Sequence, residues 1–385
     1  MPTYARQSVT FERGKGAWLW DSNGKRYLDA LAGIAVCNLG HAHPAIQKAI
    51  SQQSQKLIHT SNLYGVTLQE ELADKLCRLS GMKNVFFCNS GAEANEAAIK
   101  IARKYGHQKG IEHPVIITMD KSFHGRTMGT LSATGNTKVK QGFYPLLDGF
   151  VHVPYNDTEA LESAIKADKN VVAILVEPIQ GEGGVNIPDD DYLNKIRKFC
   201  DEYGLLMMLD EIQTGIGRTG RFLAYQHNGI LPDVCTLAKA LGNGVPIGAC
   251  MAQGRAADIL TAGNHGSTFG GNPLACSAAL AVIDTLHSTE VIASVEKKGN
   301  AICEAISRLT ANNPHIVSIR HKGLMIGIEL DAPCAELVGK ALEKGLLINV
   351  TAESTIRLLP PLLINEEQIA LLTETLSALI QEQIH

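Results

Sequence analysis

The chain has 385 residues, of which 45% are hydrophobic and 19% are charged. That composition is typical of a folded globular protein, and the length is enough for two or three domains. The formal net charge of −4 indicates no basic surface for nucleic acid or an anionic membrane. The longest apolar run, at 171–176, is too short to cross a bilayer. We therefore expect neither nucleic acid nor a membrane as a partner.

The nine cysteines are scattered and include no Cys-x-x-Cys pair. This pattern is typical of reduced, buried thiols, and it lacks the ligand spacing of a structural zinc site. The N-terminal residues, MPTYARQSVTFERGKG, contain no apolar segment of signal-peptide length. We therefore expect no metal and a cytoplasmic location.

The first predicted element is a β-hairpin within 16–36, where polar and apolar residues alternate around a Ser-Asn-Gly turn. From about residue 45 to residue 80 the apolar spacing is helical. Short apolar runs then alternate with segments that could form helices, such as 192–203. The runs lie at 85–88, 115–119, 150–155, 171–177, 205–210, 234–238 and 247–252.

Strands that alternate with helices imply a mostly parallel sheet, and apolar runs without polar alternation indicate strands covered on both faces. After a long helical stretch at 274–312, more short strands are predicted at VSIRH, LMIGIEL, LLINV and IRLLP. We predict an α/β protein with a seven-stranded, mostly parallel sheet in a large domain, 45–275. A smaller α+β domain is expected to combine 1–44 with 276–385.

Two charged residues follow the predicted strands at their carboxyl ends. Lys239 comes after the run at 234–238, where a lysine can reach the ligand crevice of an α/β sheet, although a surface lysine is the ordinary alternative. Its small apolar neighbours favour a neutral, nucleophilic amine. Asp210 ends the run at 205–210 and needs a cationic partner, either a pyridinium ring or an arginine. Gln213 is close enough to help hold a ring substituent.

Two glycine-containing segments are candidates for phosphate binding. Ser90, Gly91 and Ala92 begin a predicted helix and leave its first amides uncovered, which suits a phosphate, while a plain serine N-cap explains them equally well. The sequence GIGRTG at 215–220 spells the G-x-G-x-x-G dinucleotide fingerprint. However, DEIQT separates it from the strand, and no acidic residue follows at the required distance. We interpret it as a flexible glycine-rich loop.

Six motifs occur in order along the chain: SGAEANE, SFHGRT, EPIQGEGG, LDEIQTGIGRTG, LAKALGNGVPIG and STFGGNP. Their order and separations resemble the class III, or ω-aminotransferase, family of pyridoxal 5'-phosphate (PLP) enzymes over nearly the whole chain. The resemblance implies the aspartate aminotransferase-like fold of PLP-dependent transferases, fold type I. It also implies a homodimer whose subunits share their active sites.

The resemblance assigns a role in cofactor binding to several residues. Lys239 is implied to be the Schiff-base lysine and the proton carrier. Phe123 is implied to stack on the ring, with simple core packing as the alternative, and Thr268 to reach the phosphate in the neighbouring subunit. The complete implied set is Ser90, Gly91, Ala92, Phe123, Asp210, Gln213, Lys239 and Thr268.

The implied substrate residues include two arginines, because the planar guanidinium binds a carboxylate in bidentate fashion. Arg126 is implied to hold the carboxylate of the amino donor, and Arg357 the α-carboxylate of glutamate or 2-oxoglutarate. Glu182 would cover Arg357 while the donor is bound and swing away for the second substrate. Ordinary surface salt bridges are the alternative for all three residues. Ser267 and Ile34 complete the set.

Within the family, the chain is most similar to the subgroup that transfers the distal amine of N-acetylornithine to 2-oxoglutarate, for arginine biosynthesis. Ile34 stands where ornithine δ-aminotransferases typically carry a tyrosine that meets a free α-amine, so an acylated amine is expected. Gly65 departs from the pattern, since an aromatic residue commonly follows Tyr64. The alternative donors are 4-aminobutyrate, succinylornithine and succinyl-diaminopimelate. Glutamate-semialdehyde aminomutase, which needs no 2-oxoacid, and a non-catalytic PLP-fold protein are further alternatives.

Overall fold

The structure is a computed structural model that describes residues 1–311 and 313–382. Its strands are β1 (Phe11–Lys15), β2 (Trp18–Asp21), β3 (Arg26–Asp29), β4 (Asn84–Cys88), β5 (Val115–Met119), β6 (Phe150–Val153), β7 (Val171–Val176), β8 (Leu206–Asp210), β9 (Val234–Leu237), β10 (Gly248–Ala252), β11 (Ile316–Lys322), β12 (Met325–Leu330), β13 (Leu346–Leu347), β14 (Asn349–Thr351) and β15 (Thr355–Leu358). Its helices are α1 (Ala32–Ala35), α2 (Pro44–Ser54), α3 (Thr67–Ser80), α4 (Gly91–Gln108), α5 (Met128–Ala133), α6 (Thr158–Ala167), α7 (Tyr192–Tyr203), α8 (Pro273–Ser288), α9 (Val291–Leu309), α10 (Leu337–Glu343) and α11 (Glu366–Glu382).

The central sheet has seven strands in the order β4-β10-β9-β8-β7-β5-β6. Only β10 runs antiparallel to its neighbours, and the other pairings are parallel. Every residue of β7 and β8 is buried, as expected for strands covered by helices on both faces. The predicted α/β fold with a seven-stranded, mostly parallel sheet is therefore confirmed.

Two smaller sheets, each of four strands, lie outside the central one. The predicted N-terminal hairpin is β2 and β3, and β3 pairs in parallel with β13 from the C-terminal part of the chain. The other sheet has the order β11-β12-β15-β14 and is antiparallel throughout. The N-terminal and C-terminal segments thus meet in space, and the boundaries of the two domains stay a prediction.

The structure differs from the predicted elements in two helical regions. The stretch 45–80 is two helices, because α2 ends at Ser54 and α3 begins only at Thr67. The predicted stretch 274–312, whose last residue lies outside the described residues, contains two helices, α8 and α9, bent by 74°. Helical apolar spacing on each side of a break does not by itself reveal a change of helix axis. Within the described residues no single helix is long and apolar enough to cross a membrane, and α8 and α9 meet that criterion only as a bent pair.

The GIGRTG segment is a loop, as predicted, but the expectation that it is flexible is wrong. Arg218 at its centre is fully buried and donates to the carbonyl oxygens of Leu324 at 2.9 Å and Pro360 at 2.6 Å. Its guanidinium also donates to the side chain of Asn38. The loop therefore ties the central sheet to the C-terminal part of the chain.

Candidate active site

A cavity of about 380 Å³ lies at the carboxyl edge of the central sheet. Because β8 and β9 are adjacent and parallel, Asp210, which ends β8, and Lys239, two residues beyond the end of β9, come to the same edge. Nine of the thirteen predicted site residues line this cavity, and its size is typical of a small-molecule site. The four that do not line it are Ile34, Ser267, Thr268 and Arg357.

Asp210 is a buried carboxylate at the bottom of the cavity. Its Oδ2 accepts a hydrogen bond from Asn95 Nδ2 at 2.7 Å and contacts His124 Nδ1 at 2.8 Å. Its Oδ1 accepts from the amide of Ile212 at 3.1 Å. These contacts fix the carboxylate in place, and the side chain lies where a cationic ring bound in the cavity can pair with it.

Lys239 is half-buried and lies two residues beyond the end of β9, directly after Ala238. Its φ of +44° is a conformation that lysine adopts rarely, and such strain is concentrated at functional sites. Burial lowers the pKa of Lys239 below its ordinary value of 10.5, although Glu182 and Asp210 oppose the shift. The amine is therefore easier to deprotonate than a surface lysine, as a nucleophile or proton carrier requires.

The N-terminus of α4 opens onto the same cavity. Ser90 caps the helix, because its side chain accepts from the amide of Glu93 at 3.2 Å, while Gly91 and Ala92 line the cavity. A Cβ atom on Gly91 would lie 2.6 Å from Ile212 Cδ1, so a larger residue at this position would have to displace the Ile212 side chain. The serine therefore caps the helix, and the positive end of the helix dipole faces the cavity; that these amides bind a phosphate stays a prediction.

Glu182 and Arg357 form an ion pair at 2.6 Å. Arg357 is almost fully buried and also donates to Asn349 Oδ1 at 2.6 Å and to Gln213 Oε1 at 3.4 Å. Although burial alone would raise it, the pKa of Glu182 is lowered by its pairing with Arg357. In this structure Arg357 is therefore closed off from the cavity by a carboxylate of the protein itself.

Arg126 is in the opposite state. Its side chain is exposed, its guanidinium carbon lies 5.5 Å from the centre of the Phe123 ring, and within 1–311 and 313–382 no acidic group lies within salt-bridge distance of it. Arg126, Phe123, Glu182 and Lys239 also line an adjoining cavity of about 970 Å³, which includes Ile34. Arg126 is thus a free cation at the mouth of the site.

Ser267 and Thr268 lie beside the site. Ser267 Oγ accepts from Nδ2 of Asn89, a cavity-lining residue, at 3.2 Å. Thr268 is exposed and lines neither cavity. Its predicted contact with the cofactor of a neighbouring subunit stays a prediction.

Sequence reasoning missed four polar residues of the site: Asn95, His124, Glu177 and Asn349. Asn95, His124 and Glu177 belong to the motifs SGAEANE, SFHGRT and EPIQGEGG, so membership of a motif was the available signal for those three. Glu177 is buried, and its Oε2 accepts from the amide of Phe123 at 3.1 Å. Burial raises the pKa of Glu177 to about 7. For Asn349 no sequence signal was available.

The arrangement suits one cofactor in particular. A buried carboxylate, a half-buried lysine and an open helix N-terminus surround one cavity, and these groups complement a pyridinium ring, an aldehyde and a phosphate. His124 Nε2 is buried with no hydrogen-bond partner among the described residues, so the cavity also offers an unused polar atom. No group of three or more potential metal ligands was found in the described chain.

The fold and the site therefore define a PLP-dependent enzyme of fold type I. The family model of class-III aminotransferases matches residues 2–380, so the chain belongs to the class III aminotransferase family. It is a PLP-dependent aminotransferase, and its substrates are small molecules.

The most similar relatives and solved structures agree with this assignment. The chain is 54% identical to acetylornithine aminotransferase of Nitrosomonas europaea, covering 99% of this chain and 97% of the relative. It is 49% identical to the enzyme of that name from Methanocaldococcus jannaschii, with 98% and 95% covered. Crystal structures of N-acetylornithine aminotransferase from Stenotrophomonas maltophilia (38% identity, TM-score 0.87, 99% and 98% covered) and ornithine aminotransferase from Toxoplasma gondii (36%, 0.96, 100% and 93%) have the same fold. A second Toxoplasma structure contains PLP at its active site.

Proposed function

We propose that this aminotransferase moves the distal amine of N2-acetylornithine to 2-oxoglutarate, giving N-acetylglutamate 5-semialdehyde and glutamate, in arginine biosynthesis. The reaction proceeds in two half-reactions, so its kinetics are ping-pong. The single observation that carries the proposal is the unequal state of the two arginines: Arg126 is exposed without an acidic partner among the described residues, and Arg357 is buried under Glu182. Relatives about 50% identical that carry the name acetylornithine aminotransferase support the donor.

The cofactor is held by residues of two strand ends and one helix end. Asp210 balances the ring charge, the amides of Gly91 and Ala92 bind the phosphate, and Phe123 packs against the ring. When bound, PLP supplies an aldehyde that takes up an amino group and a cationic ring that accepts the electrons left when the adjacent proton is removed. Lys239 removes and returns that proton through Nζ, because burial keeps a larger share of its amine neutral.

The two arginines bind the two substrates in turn. Arg126 holds the α-carboxylate of the donor at the mouth, which leaves the distal amine to reach Lys239. During this step Glu182 neutralises Arg357, so the donor carboxylate is not drawn to the wrong place. When 2-oxoglutarate enters, its α-carboxylate replaces Glu182 on Arg357, and the bidentate contact fixes its orientation.

Ile34 favours an acylated donor over ornithine. Its side chain lines the adjoining cavity of about 970 Å³ together with Arg126, and it offers no atom that can hydrogen-bond to a free α-ammonium. A charged amine placed there would lose water without gaining a partner, whereas an acetyl group packs on the apolar surface. The positive φ of Ile34, +67°, indicates that its position is held by the surrounding structure at a cost in backbone strain.

We further propose a homodimer with shared active sites, two domains with the boundaries predicted above, and a cytoplasmic location. Exposed apolar side chains cluster around Thr268: Leu63 is 86% exposed, Tyr64 is 70% exposed and Phe269 is 60% exposed. Asn62 joins the two loops that carry them by donating to the carbonyl oxygens of Ser267 and Gly270. Such a patch is typical of a subunit interface. The nine free cysteines support a reducing compartment.

The test is a half-reaction on the purified yellow holoenzyme without 2-oxoglutarate. N-acetylornithine, ornithine, succinylornithine and 4-aminobutyrate are added separately, and the loss of the bound-cofactor absorbance is followed. We expect N-acetylornithine to react fastest. Faster reaction with another donor would replace the substrate and keep the class. Turnover of glutamate semialdehyde without any 2-oxoacid would favour the aminomutase alternative.

A further inference from the structure

The residues 180–186, here called the Glu182 loop, carry the carboxylate that covers Arg357. The loop is closed by a pair of backbone hydrogen bonds between Gln180 and Asn186. It crosses the small antiparallel sheet, where Thr351 also donates to the carbonyl of Glu182. Since Glu182 must leave Arg357 in the second half-reaction, the loop backbone needs an anchor that does not depend on that ion pair.

A row of residues across the sheet provides such an anchor. Arg320 on β11 is opposite Gly327 on β12, which is opposite Arg357 on β15, which is opposite Asn349 on β14. Directly opposed residues of neighbouring strands project to the same face of a sheet. The face that holds Arg357 against Glu182 therefore carries a second arginine, two strands away, and the loop lies over both.

Arg320 binds the backbone of the loop. Its Nε donates to the carbonyl of Val185 at 2.8 Å, and Nη2 donates to the carbonyl of Gly184 at 2.6 Å. Its charge is balanced by Glu329, whose Oε2 accepts from Nη1 at 2.6 Å. Arg320 is thus neutralised within the sheet, unlike Arg357, and is not available to a substrate carboxylate.

The bound segment is strained and closely packed. Val185 is fully buried with a φ of +54°, a conformation that a β-branched residue adopts only when its surroundings hold it there. A Cβ atom on Gly327 would lie 2.9 Å from Val185 Cβ, so the loop rests on the sheet at the gap left by that glycine. Contacts from Arg320 and the fit against Gly327 hold this conformation in place.

We infer that Arg320 is a positioning residue for this reaction: it fixes the backbone of the Glu182 loop on the small sheet, so that Glu182 exchanges with a substrate carboxylate by moving its side chain alone. The inference rests on the proposed exchange of substrates at Arg357. Without the anchor, the loop backbone relaxes, Glu182 no longer covers Arg357, and the donor half-reaction suffers. The half-reaction with glutamate, which needs Arg357 uncovered, does not.

The test compares kcat/KM for N-acetylornithine with kcat/KM for glutamate, each measured as a separate half-reaction of the holoenzyme. Arg320→Met removes both hydrogen bonds that Arg320 donates to the loop, and we expect the donor-to-glutamate ratio to fall about tenfold. Arg320→Lys keeps the charge but cannot bind both carbonyls as a fork, so its donor-to-glutamate ratio should fall about threefold. A loss of folded enzyme scales both half-reactions equally, so it does not move the ratio.

Glu329→Gln is the matched control, because it removes the ion pair of Arg320 and leaves the donors to Gly184 and Val185 in place. Its ratio should stay within about twofold of the wild type. Adding Arg320→Met to Glu182→Gln should change the ratio no further, since both act through one contact. Equal effects of Glu329→Gln and Arg320→Met, or an unchanged ratio in both Arg320 variants, would overturn the inference. An unchanged ratio in Glu182→Gln would instead refute the exchange at Arg357 in the proposed function.

Discussion

Asp210→Asn is the substitution for which the structure gives the most definite expectation. The carboxylate accepts hydrogen bonds on both oxygens, from Asn95 and His124 on Oδ2 and from the amide of Ile212 on Oδ1. An asparagine has only one accepting oxygen. If that oxygen takes the place of Oδ2, the new NH2 group faces the amide of Ile212 and both donors stay unpaired.

Two costs follow from this geometry. An unpaired buried donor costs about 1–3 kcal/mol, so Tm should fall by a few degrees. The larger effect is on the reaction, because the bound cofactor loses the negative charge opposite its ring. Breaking a buried ion pair costs about 3–5 kcal/mol, which corresponds to roughly a 10²–10⁴-fold loss of kcat.

The assay measures the steady-state rate at which N-acetylglutamate 5-semialdehyde, the product of the amino donor, is formed. Tm is measured on the same preparations. Asp258→Asn is the control, because its carboxylate is 80% exposed and its one ion pair among the described residues is with Lys83 at the surface. That variant should retain the wild-type kcat and Tm. If Asp210→Asn kept kcat within about threefold of the wild type, Asp210 would not balance a ring charge, and the reasoning would be refuted.

Three further predictions concern single side chains. Lys239→Ala should abolish turnover and change the visible absorption of the bound cofactor while the circular dichroism stays native; an unchanged absorption spectrum would contradict the lysine assignment. Arg126→Lys should raise KM for N-acetylornithine about tenfold and KM for 2-oxoglutarate much less, because the bidentate contact is lost at one carboxylate only; equal increases would contradict the division of roles between Arg126 and Arg357. Burial raises the pKa of Glu211 from 4.5 to about 7, so ionisation of this carboxyl lowers the free energy of unfolding. The loss begins as the pH passes 4.5 and is complete above 7. Glu211→Gln should therefore gain stability relative to the wild type between pH 5 and pH 8, on the order of 3 kcal/mol, and a pH-independent difference in unfolding free energy would count against it.

Much of the central sheet could be predicted from local residue patterns. Runs such as 171–176 are apolar without alternation, and such a run buries its side chains only in a strand covered on both faces. Lys239 and Asp210 each follow such a run, and the carboxyl ends of parallel strands meet at one edge, so their proximity was predictable before any contact was known. The motif SGAE placed a helix start beside them for the same reason.

The sequence by itself thus determined the strands of the central sheet, the edge on which the site lies and the family to which the chain belongs. Only the tertiary structure decided which polar residues meet across that edge. Arg218, in a glycine-rich segment typical of a flexible loop, is buried against carbonyl oxygens more than a hundred residues away. Arg320 resembles an ordinary surface residue of a strand, yet the backbone it binds lies 135 positions earlier. Every peptide unit presents the same carbonyl oxygen whatever its side chain, so a contact of this kind leaves no pattern in the sequence, and only the packing of the small sheet on the Glu182 loop creates it.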